Sequence, residues 1–212
     1  MPESAVGSFA GVGNPLAAAA RPLPSGAHVL DVGSGSGTDT LLAALQVGPE
    51  GRVYGLDLTR AMLDRLIDHA ELLGLDTVVP VEGNAEDIPL PDHCVDVVIS
   101  NGVINLVPDK TAAYAELYRV LRAGGRLQIC DVAIGKDADI IEAAREMTWL
   151  WAECIVGAVT ETEYVQLLQA AGFAGVWLHT RQDYFAKSPS NKTREVANAF
   201  DAHSVIIEAM RP

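Results

Sequence analysis

The sequence predicts an α/β fold, a three-layer sandwich built on a seven-stranded, mostly parallel sheet. Three observations carry this. Short apolar runs alternate with longer stretches of helical periodicity, the pattern of repeated strand–helix–strand units. One run, His28-Val29-Leu30-Asp31-Val32, ends in an acid, passes through Gly33-Ser34-Gly35-Ser36-Gly37 and opens into Thr38-Asp39-Thr40-Leu41. That is a strand, a tight turn and a helix start. Another, Val95-Asp96-Val97-Val98-Ile99-Ser100-Asn101, is mostly apolar, as expected of a strand covered on both faces.

The elements follow in chain order. Residues 1–26 are rich in small residues, and Pro15 suits the first position of a short helix to about Ala20. Pro22, Pro24 and Gly26 then make a linker, so this stretch is read as an N-terminal lid or a leader. A helix over 38–47 and a turn at Gly48-Pro49-Glu50-Gly51 lead to a second strand, 52–57, ending in Asp57. A helix over 61–74 follows, with Met62, Leu66, Ala70 and Leu73 at helical spacing. The third strand, 78–83, contains Pro80, which places it at a sheet edge. After the fourth strand a helix over 111–121 is closed by Gly124-Gly125, and a fifth strand spans 126–132. Residues 138–157 read as helical and carry Trp149 and Trp151. Thr160-Glu161-Thr162-Glu163 has the form of a capping box opening a helix to about Ala171. Two last strands are expected at 176–179 and 204–209. No internal repeat and no second domain is visible, so 27–212 is read as one domain.

Composition narrows the partners. The 28 acids against 15 bases leave a net charge of −13, a surface that repels phosphate backbones and anionic lipid. Cys94, Cys130 and Cys154 are odd in number and lack the spacing of a disulfide framework or a zinc site. The five histidines are scattered, none at metal-ligand spacing, and each is expected at the surface. The start has neither a basic segment nor a long apolar stretch, so a cytoplasmic protein is expected.

In parallel sheets of this kind ligands bind beyond the carboxyl ends of the strands, where strand order reverses. Asp31, Asp57, Asn84 and Asn101 all fall at or just past such ends, so four polar groups from four strands converge on one crevice. The glycines let the backbone bend and approach a ligand closely, and free amides at a helix start favour electron-rich atoms. A nucleotide-like cofactor is therefore expected. The dinucleotide fingerprint is incomplete, since its sixth position is Thr38, and no phosphate-loop motif occurs anywhere.

The combination of Val29-Leu30-Asp31-Val32-Gly33-Ser34-Gly35-Ser36-Gly37, Asp57, Gly83-Asn84-Ala85-Glu86-Asp87 and Tyr118-Arg119-Val120-Leu121-Arg122-Ala123-Gly124-Gly125-Arg126 resembles the class I S-adenosylmethionine-dependent methyltransferases. The resemblance is strong over roughly 27–132. It implies a Rossmann-like sheet ending in an antiparallel hairpin. It also implies S-adenosylmethionine as cofactor, with Asp31, Gly33, Ser34, Gly35 and Gly37 around the methionine and ribose, and Asp57 on the ribose hydroxyls. Leu58, Asn84, Ala85 and Glu86 would flank the adenine, and Ser100, Asn101 and Gly102 would lie near the sulfonium.

Within that family the chain is most similar to the arsenite methyltransferase group. The likeness rests on Gly11-Val12-Gly13-Asn14-Pro15, on Ile99-Ser100-Asn101-Gly102-Val103-Ile104-Asn105-Leu106, and on Trp151-Ala152-Glu153-Cys154. It implies that Cys154 stands at a metalloid-binding position and that the N-terminal segment and the 145–160 region hold the acceptor. Val12 and Gly102, however, occupy two positions where that group carries cysteine, and no cysteine follows Cys154. Soft trivalent arsenic needs several thiolates. The expected function is therefore methyl transfer to a small organic molecule. Arsenite methylation and a quinone-type C-methylation are alternatives, as is a non-catalytic S-adenosylmethionine-binding protein. Neither metal nor nucleic acid nor membrane is expected as a partner, and the general base is left unnamed.

Overall fold

In the computed structural model, which describes residues 1–7, 10–18, 22–135, 155 and 157–212, the strands join a single mixed sheet. Strands β1 (His28–Val32), β2 (Arg52–Asp57), β3 (Val78–Glu82), β4 (Val95–Asn101) and β5 (Leu121–Ile134) run parallel in the order β3-β2-β1-β4-β5. Antiparallel β8 (His203–Met210) and β7 (Ala174–Gln182) extend the sheet beyond β5. This is the expected seven-stranded path with its C-terminal hairpin. An eighth, two-residue strand, β6 (Val159–Thr160), pairs with the end of β5 and was not anticipated, being too short to leave a pattern.

The pleat assigns side chains to two cores. Leu30, Val32, Val98, Leu127 and Ile129 face α5 (Lys110–Val120) and α6 (Glu161–Ala170), while Val29, Val53, Val97 and Ile99 face α3 (Thr38–Val47) and the N-terminal segment. That segment contains α1 (Glu3–Gly7) and α2 (Pro15–Ala18). Apolar burial of this kind is the main stabilising term, about 25 cal/mol per Å². Helix α4 (Arg60–Leu73) ends at Gly74 in the left-handed conformation, its amide on the Ala70 and Glu71 carbonyls. The buried face of α4 is Leu63, Leu66, His69 and Ala70; of the expected stripe, Leu66 and Ala70 are buried, Met62 is half-buried and Leu73 is exposed.

Three further readings are refined. The Thr160–Glu163 capping box forms as expected, a device worth about 1 kcal/mol. Gly124 and Gly125 do not end α5. The chain leaves that helix at Leu121 straight into β5, and the glycines lie between the Leu121–Val95 and Arg126–Val97 pairings, where register shifts. Helix α7 (Asn191–Phe200) was not foreseen; its polar composition hid the few buried positions, Thr193, Ala197 and Phe200. The readings on Trp149, Trp151, Cys154 and nearly all of the helix at 138–157 lie outside the described residues.

Candidate functional site

Strand order reverses between β1, whose chain continues to β2 on one side, and β4 on the other. Their carboxyl ends, Val32-Gly33 and Asn101-Gly102, open onto a cleft of two adjoining lobes, about 280 and 300 Å³. Gly33, Asp57, Thr59 and Val103 line both.

The glycine turn forms the floor. Gly33 sits at φ +72° and a Cβ there would lie 2.3 Å from Val103 Cγ2; Gly37, at φ +99°, would meet Leu66 Cδ1 at the same distance. Both conditions, a left-handed backbone and a crowded neighbour, leave only glycine. Four of the turn's amides are already engaged. Those of Gly33 and Ser34 donate to the Leu56 carbonyl at 2.8 and 2.9 Å, that of Gly37 to Ser34 O at 2.9 Å, and that of Gly35 to Asp57 Oδ2 at 2.9 Å. The expectation of free amides awaiting an electron-rich ligand does not hold at these four. The turn is tied to β2 instead.

Acids line the first lobe. Asp31 is 2% exposed and its pKa is pushed up to about 8, by burial first and by the Asp39 charge second, against a 2.5 Å bond from Thr40 Oγ1. Asp39 is also raised by burial, opposed by the Asn101 amide that donates to it at 2.8 Å. Asp57 is the third, its oxygens accepting from the amides of Gly35 and Thr59 at 2.9 and 2.8 Å. A carboxylate has about four lone-pair directions, so both oxygens keep acceptor capacity toward the cleft. No cationic side chain is among the described lining residues of this lobe. The second lobe is apolar, with Leu58, Ala85, Val103, Leu106 and Val107 around Asn84 and Asp57.

Most of the expected site residues meet here. Asp31, Gly33, Ser34, Gly35, Asp57, Asn101 and Gly102 line the first lobe; Leu58, Asn84 and Ala85 line the second. Three sit behind the lining. Gly37 packs under Leu66, Ser100 Oγ donates to Val32 O at 3.0 Å, and Glu86 accepts from Asn84 Nδ2 and the Asp109 amide at 2.8 and 2.6 Å. Sequence reasoning missed Asp39, Thr59, Met62 and Val103. Asp39 carried a signal, an acid in the first turn of the helix after the glycines; Val103 carried none, since its role is one of shape.

Two histidines depart from expectation. His69 and His203 are buried, the former between Ser36 O and Ser4 Oγ, the latter between Asp201 O and Glu161 Oε1. Local polar partners on both ring nitrogens make such burial tolerable, and nothing in the spacing announces them. Among the described residues no three His, Cys, Asp or Glu side chains gather as a metal site, and no helix is long and apolar enough to cross a membrane.

A family model described as a methyltransferase domain matches residues 23–172. The chain belongs to that family. Among relatives of this methyltransferase domain, an arsenite methyltransferase of Halobacterium salinarum is 35% identical over 210 residues, 95% of this chain and 50% of that protein. A demethylmenaquinone methyltransferase of Listeria welshimeri is 36% identical over 108 residues, 51% of this chain and 46% of that protein. The crystal structure of CrArsM, an arsenic(III) S-adenosylmethionine methyltransferase from Chlamydomonas reinhardtii, superposes with a TM-score of 0.82 at 31% identity. That match covers all of this chain and 70% of the other. The chain spans about half the length of the curated relatives it matches.

Proposed function

We propose that this chain binds S-adenosylmethionine and directs its methyl group to a small-molecule acceptor. The observation that carries the reading is the first lobe, a glycine-floored pocket lined by Asp31, Asp39 and Asp57 with no described cation. Such a lining attracts a sulfonium and an ammonium and repels a pyrophosphate. The engaged turn amides point the same way, because a dinucleotide needs them free. The residues present fit the cofactor. Asp57 keeps lone pairs for the ribose hydroxyls, the apolar second lobe suits an adenine, and the joint cleft is of ligand size, roughly 300–1,000 Å³.

Bound there, the cofactor supplies a methyl group on cationic sulfur, activated for in-line displacement. The chain's own contribution is position and dryness. The turn and Asp57 fix the ribose end, Val103 and Leu58 exclude water from the base, and the acids compensate the positive charge. In this reading the acceptor is held by the N-terminal segment, where Ala10 and Gly11 line the cleft, and by the 145–160 region that the sequence likeness implies. The 27–212 unit is the cofactor-binding domain in this reading. The net charge of −13 speaks against nucleic acid, and the free thiols of Cys94 and Cys130 fit a reducing, cytoplasmic setting.

The relatives favour arsenite as a second acceptor class, with Cys154 as its thiol. Against it, a Cβ on Gly102 would lie 3.5 Å from Val12 Cγ1, so the two positions that are not cysteine here stand side by side. Of the described thiols, Cys130 is buried and its pKa is pushed up to about 12 by burial, while Cys94 lies just before β4, at the far end of that strand from Asn101. Neither offers a thiolate to the cleft.

One experiment separates these. The protein is incubated with methyl-labelled cofactor and, separately, with arsenite plus thiol, a demethylated quinol, and a fractionated metabolite extract. Label in an organic fraction alone supports the leading reading, and label in the quinol identifies a C-methyltransferase. Arsenite methylation that survives in wild type and is lost in Cys154→Ser overturns it. Cofactor binding with no transfer to any of the three supports a non-catalytic binding protein.

A further inference from the structure

Asn101 touches both the first turn of the glycine-turn helix and the N-terminal segment at the mouth of the cleft. It ends β4, on the face of the sheet that carries Val97 and Ile99 toward α3. Its Oδ1 accepts from the amides of Val12 and Gly13, at 2.8 and 3.2 Å. Its Nδ2 donates to Gly13 O at 3.0 Å and to Asp39 Oδ2 at 2.8 Å. A carboxamide has two donors and two acceptor directions, and all four are used. Three bind the strap formed by residues 10–14; the fourth binds an acid on the first turn of α3.

The strap is part of the cleft. Ala10 and Gly11 line the first lobe together with Asp57 and Met62, and Val12 is buried against Cys130 and Ile155. Further ties hold the same segment: Gln128 Nε2 to Pro15 O at 2.9 Å, and Thr38 Oγ1 to Ala5 O at 2.9 Å. Gly102, at φ +73°, follows Asn101, and a Cβ there would lie 3.6 Å from Ala10 O, so the backbone beside the latch leaves room for the strap to lie close.

We propose that Asn101 is a positioning residue, a latch whose side-chain amide clamps the 10–14 strap to the start of α3 and so completes one wall of the cofactor cleft. This rests on the reading of the cleft given above only for its ligand; the clamp itself exists without one. The residue type follows from the partners. An aspartate would lose both donors and set a charge against Asp39 and Gly13 O, whereas an alanine would leave two strap amides and a buried acid without partners.

The test is hydrogen exchange on cofactor-free protein, followed by calorimetry with S-adenosylmethionine. In wild type the Val12 and Gly13 amides are protected. In Asn101→Ala and Asn101→Asp they exchange at least about tenfold faster while β1 amides are unchanged, and cofactor affinity falls by about tenfold, the scale of one lost charge-assisted bond. Pairing Asn101→Asp with Asp39→Asn restores a donor–acceptor pair between the two side chains. It recovers part of both protection and affinity, which a merely structural role would not do. Unchanged strap exchange in both single variants overturns the latch. If the single variants lose β1 protection as well, the paired variant decides, and a strap that stays open in it overturns the proposal. Failure of wild type to bind S-adenosylmethionine, with the strap results as expected, would instead sink the cofactor reading and leave the latch standing.

Discussion

Asp57 holds the Gly35 amide at 2.9 Å, so the acid that ends β2 also sets the curvature of the turn after β1. Its replacement would therefore remove the proposed ribose contact and loosen the floor together. Asp57→Ala is expected to weaken S-adenosylmethionine binding by at least about tenfold, and Asp57→Asn, which keeps one acceptor, by less. Calorimetry checks this, and an alanine variant that binds as well as wild type would refute the placement of the ribose.

Gly33 and Val103 form a shape pair. Gly33→Ala carries a left-handed φ cost of about 1 kcal/mol and a Cβ that overlaps the valine. Affinity is expected to drop at least about tenfold, with a lower melting temperature. Adding Val103→Ala relieves the overlap but not the backbone cost, so part of the affinity returns. A double variant no better than Gly33→Ala would show that the collision is unimportant.

The raised pKa of Asp31, about 8, gives the site a pH signature. The sulfonium charge favours the ionised carboxylate; the demethylated product keeps the ammonium but lacks that charge, and favours it less. The ratio of affinities for S-adenosylmethionine over its demethylated product should rise with pH until Asp31 is ionised, by up to about tenfold per unit below that pKa. Asp31→Asn should flatten the ratio. Calorimetry with both ligands on either side of pH 8 measures it, and a pH-independent wild-type ratio counts against the charge argument.

Asp131, fully buried in β5, has its pKa raised to about 7 by burial, against bonds from the Val132 and Asn105 amides at 2.8 and 3.0 Å. A carboxyl raised above its unfolded value of 3.8 holds its proton longer when folded. Its contribution to stability is present at low pH and is lost as pH rises through about 7. Thermal melts across about pH 4 to 8 should therefore fall less steeply in Asp131→Asn than in wild type. Equal slopes would sink the assignment.

The sheet and the cleft were legible because both rest on local pattern. Alternating runs, the glycine turn and acids at strand ends survive in one dimension. What the sequence hid was made by distant neighbours. Val103 lines the cleft because it fits a Cβ-free Gly33, and Asn101 is a hub because residues 88 positions earlier return to it. His69 is buried because a serine 65 positions away meets its ring. Gly124-Gly125 misled for the same reason, since a helix stop and an irregular stretch of strand use the same glycines. The polar surface of α7 concealed three inward residues that only a finished fold reveals.

The turn's engaged amides have a kinetic consequence. With Leu56 and Asp57 already holding Gly33, Ser34 and Gly35, the mould for the ligand stands before the ligand arrives, and little ordering entropy is left to lose there. Whatever slows association must then lie at the mouth, where the Asn101 carboxamide clamps residues 10–14. Encounter rates should follow that segment's opening and be indifferent to the floor beneath it.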